Sequence, residues 1–191
     1  MSEENQIGEL KSLIEGQNKK IDDLEQLIKD STQEDAVSLL VFSNDLDRAL
    51  SAFIIATGAA SLGLKVNMFF TFWGTTILRK KESNLKGKSF KEKMFNVMLP
   101  NGSKKLSLSQ LHMMGAGTAM MKSIMKDKNI TNLQDLIDMV TEMDVNIQIC
   151  EMTLGMMGMS MDDMVCEGND KVCGVANYLQ GALNAKVTLF I

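Results

Sequence analysis

The residues with the strongest latent chemistry in this chain are its cysteines, Cys150, Cys166 and Cys173. Cys150 follows Ile149 at the end of the strand-like run 146–149 (NIQI) and precedes Thr153 and Ser160, either of which is suited to cap a helix. A thiol at a strand-to-helix junction meets amide N–H groups, and these favour the thiolate over the thiol. Such a thiolate can attack sulfane sulfur and hold it as a persulfide; a disulfide or a sulfenic acid is its other redox product. Glu151 next to it opposes ionisation. A small buried cysteine that merely packs at a strand end is the bland alternative, and position alone leaves both readings open.

The neighbouring chemistry narrows the classes. Cys166 and Cys173 lie in the polar stretch VCEGNDKVCG, as resolving thiols for Cys150 or as plain surface residues. The chain has one His, which argues against the common zinc sites built on two or three histidines. Met152, Met156, Met157, Met159, Met161 and Met164 are soft enough for Cu(I) beside a thiolate. A flexible apolar lining or core packing explains them better, so no metal and no cofactor is expected. Asn44-Asp45 and Trp73-Gly74-Thr75 follow apolar runs and suit a phosphate or nucleotide. No GxGxxG or Walker pattern accompanies them.

These residues need elements to hold them. Residues 36–42 read as a buried strand, ended by Ser43-Asn44-Asp45, with Asp45 or Ser43 capping the next helix. That helix carries Leu46, Leu50, Phe53, Ile54 and Ala60, and Gly63 closes it. Residues 65–72 form a second strand, Trp73-Gly74 a turn, and Thr75 or Thr76 the start of another helix. Residues 82–130 read as a long insertion, with the turn Pro100-Asn101-Gly102 and a helical stretch at 118–125. Further on, 131–143 is a helix with Leu133, Leu136, Ile137 and Val140 on one face, and 146–149 a third strand. Residues 175–184 are a helix and 186–191 a final strand. Strands alternating with helices give a parallel α/β sheet with helices on both faces. Chemistry in such sheets gathers at the carboxyl ends of the strands, where Asn44, Trp73 and Cys150 each fall.

Residues 1–31 follow a different rule. Ile7, Ile14, Ile21 and Ile28 occupy one heptad position and Leu10, Gln17 and Leu24 the other. This predicts an N-terminal helix that either pairs as a parallel coiled coil or packs on its own domain, which spans 35–191. Gly8 and Gly16 each cost such a helix about 1 kcal/mol relative to Ala.

Bulk properties exclude other classes. A net charge of −4 over 191 residues, with the basic stretch 79–105 interrupted by acidic residues and Gly, argues against nucleic acid as a partner. No run approaches the roughly 18 apolar residues that span a bilayer. No secretory signal is visible, so the expected location is the cytoplasm, where thiols stay reduced.

Several segments together resemble the DsrE/DsrF-like family, in the branch with a long central insertion. They are Phe42-Ser43-Asn44-Asp45-Leu46-Asp47, Phe70-Thr71-Phe72-Trp73-Gly74 with Leu78-Arg79-Lys80, Met98-Leu99-Pro100-Asn101-Gly102, and Met114-Gly115-Ala116-Gly117-Thr118. Cys150-Glu151-Met152-Thr153-Leu154-Gly155-Met156-Met157-Gly158 is similar to the family's Cys-x-Met-Ser-Met-x-x-Met-Gly, with Thr for Ser and Leu for the second Met. Gly174-Val175-Ala176 and Leu189-Phe190-Ile191 also fit. The resemblance implies a flavodoxin-like sheet, a homo-oligomer, and sulfur transfer through a persulfide on Cys150 between donor and acceptor proteins. It points to Asn44, Trp73, Gly74, Met152, Thr153, Met157 and Gly158 as binding positions around that thiol. It assigns nothing to Cys166 or Cys173. A sulfur carrier or sulfurtransferase therefore competes with a non-catalytic oligomeric adaptor and a small-ligand-binding domain.

Overall fold

The computed structural model describes residues 3–31, 33–80, 89–166 and 171–191, which fall into two units, Met1–Glu34 and Asp35–Ile191. The first unit is a single helix, α1 (Glu3–Ser31), which runs through Gly8 and Gly16 unbroken. Along it Ile7, Leu10, Ile14, Ile21, Leu24 and Ile28 are each more than half exposed in the single chain.

The second unit alternates strand and helix. The elements are β1 (Glu34–Val41), α2 (Leu46–Ser61), β2 (Lys65–Phe70), α3 (Phe90–Met98), α4 (Ala116–Asp127), α5 (Leu133–Glu142), β3 (Val145–Cys150), α6 (Glu151–Met157), β4 (Val172–Cys173), α7 (Val175–Asn184) and β5 (Ala185–Phe190). The five strands form one sheet in the order β4-β3-β2-β1-β5. The pairs β1/β2, β2/β3 and β3/β4 are parallel. At the other edge Ile191 N donates to Leu40 O at 2.9 Å and Ile191 O accepts from Phe42 N at 2.8 Å, the ladder pattern of a parallel pair. The sheet is parallel and helix-covered, as a flavodoxin-like architecture requires, but its order is not 2-1-3-4-5. Four strands run in sequence and the fifth lies on the far side of the first. The reversal therefore falls between β1 and β5, and Cys150 sits away from it, between β2 and β4.

Strand alternation divides the core in two. Val37, Leu39 and Val41 of β1, Val66, Met68 and Phe70 of β2, and Val145, Ile147 and Ile149 of β3 face one layer. There they bury against Ala49, Phe53 and Ala56 of α2 and Leu136, Ile137 and Val140 of α5. The opposite face holds a smaller cluster of Phe69, Cys150, Cys173 and Tyr178, with Leu40 and Ala182 against it. Phe69 and Tyr178 stack with ring centroids 5.1 Å apart, so α7 covers this side. Helix α5 starts where Asn132 Oδ1 accepts from Gln134 N and Asp135 N, satisfying amides that the first turn leaves open.

Three expectations change. The chain past β2 does not begin a helix at Thr75 or Thr76. It enters a 3₁₀ turn over Phe72–Leu78, with Phe72 at φ 45°. The polar stretch holding Cys173 contains a two-residue edge strand, β4, and no periodicity can announce an element that short. The insertion carries α3 and α4, and it is tied to the start of α2. Leu46 N donates to Ser107 O at 2.8 Å, and Asp47 accepts from Ser109 N at 2.9 Å and Ser109 Oγ at 2.6 Å. Among the described residues, no helix is long and apolar enough to cross a membrane.

Candidate functional site

Cys150 is the last residue of β3 and the N-cap of α6. Val145, Ile147 and Ile149 point into the main core, so the period-two rule turns Cys150 to the opposite face. Helix α6 starts at once, at Glu151. Neither Thr153 nor Ser160 caps it. Ser160 caps a later 3₁₀ turn, Met161–Asp163, where its Oγ and N both donate to Asp163 Oδ2 at 3.1 and 3.0 Å.

Thr153 has a different task. It lies in the first turn of α6 and is fully buried. Its hydroxyl accepts from Phe72 N at 3.0 Å and pairs with the Thr71 hydroxyl at 3.2 Å, joining the carboxyl ends of β2 and β3. Burial pushes the Cys150 thiol up. The Thr153 hydroxyl and amide, the Thr71 hydroxyl and the Met152 amide together pull it below the ordinary thiol value. Each hydroxyl has one proton to give. While the two hydroxyls are paired, one O–H of the pair is therefore left to face the sulfur. Glu151 is exposed, so its charge is solvated rather than aimed at the sulfur. Arg79 is engaged elsewhere. It is 2% exposed, its Nη1 donates to Leu99 O and Pro100 O at 3.5 and 3.4 Å, and burial lowers its pKa against the opposing charge of Asp163.

The other two cysteines part company. Cys166 packs in the main core, and burial raises its thiol despite Lys171 and Lys80. Cys173 stands in β4 as the register partner of Cys150, in the same small cluster on the same face. Burial and the charge of Cys150 both push its thiol up.

Asn44, Trp73 and Gly74 gather at the ends of β1 and β2, next to this group. Asn44 Nδ2 donates to Thr76 Oγ1 at 3.0 Å, and Thr76 Oγ1 donates to Trp73 O at 2.7 Å. Gly74 N donates to Phe42 O at 2.7 Å, so this amide is not open to an anion. A Cβ on Gly74 would lie 2.2 Å from Val41 O, and only glycine fits that approach. Trp73 is 41% exposed at the rim. Of the methionines, Met152 and Met156 are exposed one turn apart on α6, while Met157, Met159 and Met164 belong to the main core. Gly158 ends α6 in the left-handed conformation, at φ 62°. A groove lined by Lys122, Met125, Leu133 and Asp135 involves α4 and α5 and does not reach the thiol.

Sequence reasoning missed Thr71 and the placement of Cys173. Thr71 carries little signal, since the run 65–72 reads as strand through it and only the sheet ends β2 at Phe70. Cys173 carries none, because the register of a two-residue strand is set only by the sheet.

The pattern of the DsrE/DsrF/DrsH-like family matches residues 33–190. The chain is 39% identical over 159 residues to the uncharacterized protein YrkE of Bacillus subtilis (strain 168), covering 83% of this chain and 98% of that protein. It is 29% identical over 163 residues to the sulfur carrier protein DsrE2 of Allochromatium vinosum, covering 83% of this chain and 99% of that protein. With a parallel sheet, a thiol at the end of β3 and a match that spans the whole second unit, this chain belongs to the DsrE/DsrF/DrsH-like family.

Proposed function

We propose that this protein is a sulfur carrier that holds sulfane sulfur as a persulfide on Cys150. The observation that carries the reading is the place of Cys150 as the N-cap of α6, where the paired Thr153 and Thr71 hydroxyls join the ends of β2 and β3 and, with the first amides of the helix, hold its thiol below the ordinary value. The likeness to a protein named as a sulfur carrier supports the same role. In the loading step the Cys150 thiolate attacks the terminal sulfur of a persulfide or polysulfide donor. The donor's S–S bond breaks, and the rest of the donor leaves as a thiolate. In the delivery step an acceptor thiolate attacks the outer sulfur and Cys150 leaves as thiolate. A depressed pKa serves both steps, because it raises the ionised fraction and makes Cys150 a better leaving group. Donor and acceptor proteins are the implied partners, and a reducing cytoplasm is the compartment that keeps the thiol ready. The small-ligand alternative has less support, since the polar atoms of Asn44 and Gly74 are bonded to their own neighbours.

Self-association belongs to the same reading. The Ile and Leu seam of α1 leaves apolar surface worth about 25 cal/mol per Å² if buried, and Ile alternating with Leu favours a parallel pair. Deleting residues 1–31 should leave a folded domain of lower mass in light scattering. An unchanged oligomer would remove α1 from the assembly.

The carrier test is direct. After exposure to inorganic polysulfide and removal of the excess, the Cys150 peptide should gain one sulfur atom, lost again on reduction. Cys150→Ser should gain none, since a hydroxyl is a far weaker nucleophile at neutral pH. Loading of Cys150→Ser at the parent level would refute the assignment.

A further inference from the structure

We propose that Cys173 is the resolving thiol of the Cys150 persulfide, an inference that rests on the carrier reading above. The two residues are direct register partners on adjacent parallel strands, so their side chains leave the sheet on the same face. Both are nearly buried, at 5% and 7% exposure, in one cluster with Phe69 and Tyr178. Adjacent strands lie about 4.8 Å apart, within the range of about 4.4 to 6.8 Å that disulfides span between Cα atoms. β4 is only two residues long and forms the edge of the sheet, so its backbone can adjust to the torsion that a disulfide needs. Cys166 does not compete. It packs among the residues of the main core, the layer that Val145, Ile147 and Ile149 face and Cys150 does not.

The reaction balances without an outside oxidant. Cys173 loses its proton and its sulfur attacks Sγ of Cys150. The bond between Sγ and the outer sulfur breaks. The outer sulfur leaves with the electron pair and takes up the proton as hydrogen sulfide. The two cysteine sulfurs end as a disulfide, so the sulfane sulfur is reduced and the cysteine pair is oxidised. A dithiol reductant then reopens the pair. Timing follows from charge. Burial and, beside it, the negative charge of a Cys150 thiolate both raise the Cys173 thiol. Persulfide formation moves the negative charge one sulfur outward and relaxes that repulsion. Cargo that meets no acceptor is thus discharged as sulfide.

The test uses the full chain, loaded with inorganic polysulfide, freed of excess donor and held without added thiol. The parent should release sulfide in proportion to the sulfur loaded, and its mass should fall to that of the unloaded chain less two hydrogens. A cross-linked Cys150–Cys173 peptide should appear. Cys173→Ser and Cys173→Ala should load equally but release sulfide at least about tenfold more slowly, keeping the added sulfur. Cys166→Ser should behave as the parent. A parent that keeps its sulfur as long as the Cys173 variants overturns the resolving role and leaves the carrier reading standing. A parent that never loads on Cys150 overturns both.

Discussion

Cys150 and Cys166 each leave only 5% of their surface exposed, with Cys166 the deeper of the two, and their thiols shift in opposite directions. Cys166 lies among Met164 and other apolar side chains of the main core, so the loss of water dominates. Cys150 loses its water too, but it stands where β3 ends and α6 begins, and two threonine hydroxyls and two amides replace the solvent. Burial alone therefore does not make a thiol inert. What decides is whether the chain supplies donors in place of the water it removes.

The strongest way to break this contrast is to exchange the thiols for hydroxyls one at a time. Cys150→Ser should lose all sulfur loading while Cys166→Ser keeps it, read by peptide mass. Loading through Cys166 would mean that the donor set is irrelevant. A subtler cut removes a donor and leaves the thiol. Thr153→Val should slow alkylation of Cys150 at neutral pH by about tenfold, the scale of losing one hydrogen bond to a charged group, with Thr153→Ser near the parent. Both are best measured with Cys166 and Cys173 replaced by Ser. Equal rates for the Val and Ser variants would shift the credit to the amides. Thr71→Val acts through the second hydroxyl, a smaller contributor, and should slow the same reaction by only about threefold.

The smallest effect is on stability, and its sign separates the two sites. A depressed thiol stabilises the fold fully above the unfolded value of about 8.5, and this is lost as pH falls through the lower folded-state value. A raised thiol stabilises fully below about 8.5 and loses this as pH rises through the higher folded-state value. Between about pH 7 and about pH 9.5, Cys150→Ser should therefore lose stability relative to the parent and Cys166→Ser should gain, each by about 1 kcal/mol or less. Urea unfolding at the two pH values would show it, and shifts of the same sign would contradict the assignment of the two environments.

Legibility in the sequence followed the number of residues that repeat a rule. Leu133, Leu136, Ile137 and Val140 are enough turns of a pattern to announce α5, and residues 175–184 coincide with α7. The apolar runs of β1 and β2 stood out because both faces of the sheet are covered there, while β3 showed itself by the alternation of Asn146, Ile147, Gln148 and Ile149. Helix α3 did not, since it lies in a stretch where Gly, Lys and Ser dominate, and its described apolar side chains Phe90, Met94, Val97 and Met98 are exposed. At the site, Cys150 was readable from its place after a strand-like run. The expected amide contribution fits the lowered thiol, but the larger hydroxyl contribution of Thr153 depends on β2 lying beside β3. Thr153 read as a cap because local rules treat a threonine after a strand as a helix start. The sheet instead turned it toward Thr71, a partner 82 positions away.

The Thr71–Thr153 pair also bears on how other chains of this shape can be sorted. A valine in place of Thr153 is nearly the same size and would leave β3, α6 and the main core in register. Such a chain would pass every test of likeness based on fold or on the presence of the cysteine, yet its sulfur would lack the largest of its stabilising donors and keep only the amides and Thr71. A hydroxyl three residues after the thiol is thus a one-position filter. It separates chains that keep only the scaffold from chains whose cysteine is equipped to ionise.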